Sequence, residues 1–299
     1  MLPLSLPIGP VGIWTFDLES QPAAKAQEAV CELEQLGYGA VWFGEAVGRE
    51  ALTNAGLLLA GSAGIVIATG IANIYARDPL AMASGQKTLA EAYPNRFLLG
   101  LGVSHVPLVE KLRGHVYRKP VATMRAYLDS MDRSIFQAVE PSSRPLRVLA
   151  ALGPKMLQLA AERADGAHPY NVTPEHTAQA RKILGPNPML CPEQAVILET
   201  DGSKAREIGR KFLEVYLKLP NYRNNLIRLG YSEEDCNNGG SNRLVDALIA
   251  WGDIPAIRDR VRAHHAAGAD HVCIQVLSRV AKSLPMTQWR ELAAALLST

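Results

Sequence analysis

The sequence predicts an α/β fold of the (β/α)8 (TIM) barrel class, on three observations. Short apolar or β-branched runs alternate with helical patterns from end to end. Eight such units fit in 299 residues, near the ~250 residues usual for that barrel. The open doubly wound sheet that binds dinucleotides needs a GxGxxG fingerprint soon after its first strand. The nearest pattern here, GLGVSH at 100–105, follows the fourth strand and lacks the third glycine.

Each unit has its own signals. Residues 11–15 form the first strand; Pro22 opens a helix with Ala26, Ala29, Val30, Leu33 and Leu36 at helical spacing and Gly37 as its stop. The second strand is 40–43, with a helix over 54–63; the third is 65–68, and Asp78 and Pro79 suit the cap and first position of the next helix. A fourth strand spans 96–103, with a helix over 124–136. The fifth covers 147–151, and its helix starts near Pro154 and ends at Asp165 and Gly166. A sixth, 167–170, precedes a helix over 174–184, and a seventh, 195–199, precedes a long helix from Lys204. The polar, glycine-rich stretch 221–242 reads as an excursion over the surface, not a barrel element. An amphipathic helix over 254–267 leads to the eighth strand, 271–277, and 286–297 closes the chain. The expected organisation is one barrel domain over 1–299 with an excursion near 220–245.

Composition narrows the function. With 48% hydrophobic residues the chain can bury a large core. Thirty-one basic against 29 acidic residues, with no long run of one sign, argue against nucleic acid and membrane partners. A proline-rich N-terminus without a basic segment argues against a signal peptide, and no apolar run approaches ~20 residues. Cytoplasmic localisation is expected. Cys31, Cys191, Cys236 and Cys273 show no metal-ligand spacing, so reduced thiols and no metal site are expected.

In a barrel of this kind the site lies at the C-terminal strand ends. That rule selects Trp14 and Thr15, Glu45, 70–73, Val103 to His105, 152–156, 170–173, Glu199 and Gln275. Gly70 is set at the end of a β-branched strand, where glycine weakens pairing unless the backbone needs its freedom. Gly102 and its neighbours let a flat ligand approach the backbone. The helix start at Gly153 and Pro154 is either an anion site on free N–H groups or a plain turn. His105 is either a structural hydrogen-bonder or a proton carrier at a strand end. Trp14 offers an apolar wall on the substrate side.

Residues 69–79 (TGIANIYARDP) followed by 90–102 (AEAYPNRFLLGLG) resemble the bacterial luciferase-like family, in particular its coenzyme F420-dependent oxidoreductases. GYGAVWFGE at 37–45, AALGP at 150–154, ADG at 164–166 and GADHV at 268–272 recur in the same order, so the resemblance covers most of the chain outside about 200–245. It implies a (β/α)8 barrel binding F420, or FMN in other branches, and a non-proline cis peptide at Gly70-Ile71 backing the ring. The implied cofactor contacts are Glu45, Thr69, Gly70, Ile71, Asn73, Gly102 and Val103 at the ring, with Gly153, Lys155 and Met156 at the phosphate. Pro154 offers no N–H there. Sugar-phosphate dehydrogenases of the family carry a histidine where this chain has Ala46 and a glutamate where it has His105, so glucose 6-phosphate is not the expected substrate.

The expected function is an F420-dependent oxidoreductase moving a hydride to or from a small organic substrate, with His105 carrying the proton. An FMN-dependent monooxygenase and an F420-binding protein without turnover are the alternatives. A homodimer is implied by the relatives, and the substrate loops are expected at 106–120 and 220–245, where Arg113, His115, Arg118, Tyr222 and Arg223 either clamp an acid or face solvent, the solvated reading being favoured.

Overall fold

The structure is a computed structural model and describes residue 6, residues 8–278 and residues 283–297. The strands are β1 Val11–Trp14, β2 Ala40–Phe43, β3 Val66–Thr69, β4 Ala72–Asn73, β5 Phe97–Gly102, β6 Leu146–Leu149, β7 Gly166–Ala167, β8 Met189–Leu190, β9 Glu193–Leu198, β10 Ile249–Gly252 and β11 Val272–Val276. The helices are α1 Ala23–Gln35, α2 Ala51–Ala60, α3 Pro79–Ala92, α4 Pro120–Asp132, α5 Pro154–Arg163, α6 Pro174–Leu184, α7 Gly202–Leu217, α8 Pro220–Arg228, α9 Asn242–Leu248, α10 Ile254–Ala266 and α11 Met286–Leu296.

Every strand pair is parallel, and hydrogen-bonded order runs β9, β11, β1, β2, β3, β5, β6, β7, β8. Only Cys191 and Pro192 separate β8 from β9. Cys191 N–H donates to Ala167 O (2.9 Å) and Glu193 N–H to Pro169 O (2.9 Å), while Cys273 N–H donates to Pro192 O (2.9 Å). The stretch 189–198 is therefore one barrel strand bonded on both edges, and the sheet curls into the expected barrel. β10 adds outside this ring, against β9.

Period-two alternation divides the core. Trp14, Ala40, Trp42, Val66, Ala68, Leu98, Val148, Cys191 and Cys273 fill the barrel, while Ile13, Val41, Ile67, Leu99, Leu149 and Ile274 pack under the helices. The helix starts follow local chemistry. Asp78 accepts from Ala81 N–H with Pro79 in the first turn, and Thr173 accepts from His176 N–H. Gly37 ends α1 at φ +90°, a conformation that favours glycine.

Three elements differ from the sequence reading. α4 starts at Pro120 because Lys119 takes the left-handed conformation (φ 42°) just ahead of it, a turn no apolar spacing announces. The seventh barrel strand starts at Met189, ahead of a proline that masked it. The 221–242 stretch folds into most of α8 and the start of α9, and buries Tyr222, Asn225, Leu226 and Cys236. Its polar composition is spent on caps and turns such as Ser241 on Leu244 N–H, while one apolar edge packs inward. Among the described residues no helix is long and apolar enough to cross a membrane. The four cysteines are free thiols, three of them buried.

Candidate active site

Past Thr69 the strand β3 breaks step with β5, and the break is built from sequence. The peptide Gly70-Ile71 is cis. Thr69 Oγ1 donates to Gly100 O and accepts from Gly100 N–H, both at 2.8 Å, replacing ladder bonds that the bulge removes. Pairing resumes after two intervening residues, Ala72 opposite Leu101 and Asn73 opposite Gly102. Trp14 Nε1 donates to Gly70 O (3.1 Å), Gly70 N–H to Phe43 O (2.6 Å), and Glu45 N–H to Ile71 O (3.1 Å). The bulge is thereby held by β1, the β2 end and β5. Gly102 is required beside it: a Cβ there would sit 2.4 Å from Ile71 Cγ1. Below Gly70, His168 stacks on Trp42 (4.4 Å between centroids).

Two residues expected at the cofactor make hydrogen bonds that hold the scaffold. Glu45 is buried; Oε2 accepts from Asn73 N–H (2.8 Å), Oε1 from Ala51 N–H (3.2 Å), and Arg77 pairs with it. A carboxylate so engaged ties the β2 loop to the bulge. The Thr69 hydroxyl is likewise committed to Gly100. Asn73 is buried with Oδ1 on Tyr75 N–H (2.9 Å).

Above the bulge stands an aromatic wall. Trp14 contacts Tyr170 (5.0 Å), Tyr170 contacts Tyr216 (5.3 Å) and Tyr222 (6.4 Å), and Tyr222 contacts His105 (5.6 Å). Tyr170 Oη donates to Gln275 Oε1 (2.7 Å) and lies 3.0 Å from Tyr216 Oη. Burial pushes the Tyr216 hydroxyl up to about 12 and those of Tyr170 and Tyr222 well above their ordinary range. Burial lowers the His105 imidazole, with Asn221 pulling the other way, so the ring is neutral at pH 7 and able to accept a proton. Tyr222 thus lines the mouth, contrary to the solvated expectation.

The α5 start lies across the mouth. Gly153 is its N-cap and no side chain caps it. Met156 N–H turns back to Gly153 O (3.1 Å), so of the three expected amides Gly153 and Lys155 remain without protein acceptors among the described residues. Arg228, at the end of α8, brings Nη2 within 3.4 Å of where a Gly153 Cβ would lie, and bonds Asn225 Oδ1 (3.1 Å). Lys155 is exposed and Val103 half-buried. Two amides at the helix start and a guanidinium form a donor set for a phosphate. Bulge, glycine clearance and donor set fit a flat ring with a phosphate-bearing side chain. Among the described residues no cluster of His, Cys, Asp or Glu suits a metal ion.

Sequence reasoning missed Arg77, Arg228 and Glu193. Arg77 stands inside the quoted bulge motif, so its charge beside the buried Glu45 was a usable signal. Arg228 carries no local signal for this place, since Gly153, which it approaches, is 75 residues away in the chain.

Comparison with known proteins bears on the family and the fold. The Mycobacterium tuberculosis protein named "Putative coenzyme F420-dependent oxidoreductase" is 25% identical over 311 residues, covering 83% of this chain and 90% of that protein. A solved F420-dependent secondary alcohol dehydrogenase, in complex with an F420-acetone adduct, superposes with TM-score 0.76 at 15% identity over 96% of this chain and 99% of its own. The coenzyme F420 dependent tetrahydromethanopterin reductase of Methanopyrus kandleri gives TM-score 0.70 at 16% identity over 97% and 98%. The sequence profile of the luciferase-like monooxygenase family matches residues 10–271, and the chain belongs to that family.

Proposed function

We propose that the protein is an F420-dependent oxidoreductase acting on a small organic substrate. The carrying observation is the Gly70-Ile71 bulge with its glycine clearance, set in a member of this family whose relatives include proteins named for F420. F420 supplies hydride transfer at its ring. In this reading Ile71 backs the ring, Gly102 keeps Ile71 seated, and Gly153, Lys155 and Arg228 hold the phosphate. Trp14 and Tyr170 exclude water beside it. His105, neutral at pH 7 and at the rim, carries the substrate proton. Four free thiols fit a cytoplasmic setting, and a homodimer is the assembly we propose.

Fluorescence titration of the purified protein with F420 and with FMN tests the cofactor assignment. Saturable F420 binding at least tenfold tighter than FMN is expected; FMN binding alone would instead support a flavin monooxygenase. His105→Ala is expected to lower kcat at least 100-fold with F420 affinity unchanged, and full turnover would remove the role given to His105.

A further inference from the structure

Beneath the aromatic wall the barrel holds polar groups that the reading above leaves unused. Glu193 is wholly buried at the start of β9; its Oε2 accepts from Asn171 N–H (3.0 Å) and its Oε1 has no partner. Asn171 follows β7 in the left-handed conformation (φ 53°), is 4% exposed, and has neither Oδ1 nor Nδ2 partnered. Unpaired buried amide and carboxyl groups are costly, so these atoms call for a partner that the described side chains do not supply. Alternation places Glu193 on the barrel-interior side with Cys191, two residues before it, whereas Gln194 points out to Leu248 O (2.9 Å).

The charge around the pair is equally telling. Glu193 raises the neighbouring Tyr170, Tyr216, Tyr222 and Cys273 groups, and among the described residues no hydrogen bond or ion pair joins Glu193 to an Arg or Lys. An anionic ligand group would lose its hydration there with no cation in return. An uncharged oxygen meets the right chemistry: an amide N–H from Asn171 and, since burial raises the Glu193 carboxyl to about 8, an O–H from Glu193 at pH 7.

We propose that Asn171 and Glu193 form a buried subsite that takes an uncharged oxygen of the substrate, a ketone carbonyl or an alcohol hydroxyl, and excludes carboxylates. The proposal rests on the strand-end mouth being the substrate side, and not on which cofactor binds.

The test uses cyclohexanone labelled with 13C at its carbonyl, and cyclohexanecarboxylate, on the full chain with and without saturating F420. Calorimetry gives affinity and infrared spectroscopy gives the labelled carbonyl band. Saturable cyclohexanone binding is expected, with the band moved to lower frequency, and no saturable binding of the carboxylate. Asn171→Gly keeps the left-handed backbone, and it should weaken cyclohexanone at least fivefold and reverse the band shift. Should that variant not fold, Asn171→Asp, which tolerates the same backbone, should give the same loss. No cyclohexanone binding to the wild type, equal or tighter carboxylate binding, or unchanged affinity in the Asn171 variants overturns the proposal. Failure of F420 to bind counts against the cofactor reading alone, because the ketone measurement on the free protein still decides the subsite.

Discussion

Arg77→Met is the sharpest probe of the scaffold behind the bulge. Arg77 pairs with Glu45, whose side chain is 4% exposed, and with Glu50 at 2.5 Å, and its own carbonyl receives Tyr127 Oη (2.9 Å). Removing one partner of a buried pair leaves an uncompensated charge, at a cost of about 3–5 kcal/mol. Glu45 keeps the N–H groups of Ala51 and Asn73, which favours the lower end, ~3 kcal/mol. At ~2.1 cal/mol/K per residue the unfolding entropy of 299 residues is about 0.6 kcal/mol/K, so Tm should fall by about 5 °C. Glu45 also accepts Asn73 N–H and donates its own N–H to Ile71 O, so cofactor affinity should fall at the same time. Differential scanning calorimetry and a binding titration on Arg77→Met read both effects. The double variant Arg77→Met, Glu45→Gln should recover part of the loss, as a coupled pair requires. A single variant with Tm within 1 °C of wild type and unchanged binding would refute the reasoning.

Three further outcomes are expected. Thr69→Val leaves Gly100 N–H and O without their clasp and should destabilise by about 2–4 kcal/mol in urea unfolding; a loss below ~0.5 kcal/mol contradicts the clasp. Arg228→Ala should weaken F420 about tenfold while leaving the unfolding midpoint unchanged, since Arg228 is exposed; equal affinity places the phosphate elsewhere. Stability should peak near pH 6.5. His168 and His271, lowered by burial to about 4, and His264, lowered to about 3, stay neutral when folded, so stability falls as pH drops from 6.5 through those values. Glu193 works in the opposite sense: raised to about 8, it contributes stability that is present below 4.5 and lost as pH rises toward 8. Glu193→Gln should abolish that alkaline fall in calorimetric scans; a variant with the wild-type slope would contradict a protonated Glu193.

The barrel was legible because parallel strands buried on both faces read as apolar runs and their helices carry caps, as at Asp78. Gly70 stood out as misplaced for an ordinary strand, and the bulge there was what the resemblance of 69–79 to the luciferase-like family implied. Side-chain assignments were less so. Glu45 and Thr69 stand at the expected strand ends, yet their polar atoms close gaps that the bulge itself opens. Glu193 was hidden because Pro192 masked the strand containing it, and Tyr222 because α8 owes its inward face to packing against α7 and Tyr170, not to its own periodicity. Approaches between residues distant in the chain, such as Arg228 to Gly153, leave no local pattern.

A crystal structure of the protein grown with F420 tests the central claim most directly. The account predicts the deazaflavin ring against Ile71 between Trp14 and Gly102, and the phosphate beside the amides of Gly153 and Lys155 and the Arg228 guanidinium. A ring bound away from the Gly70-Ile71 bulge, or a phosphate remote from the start of α5, would contradict it.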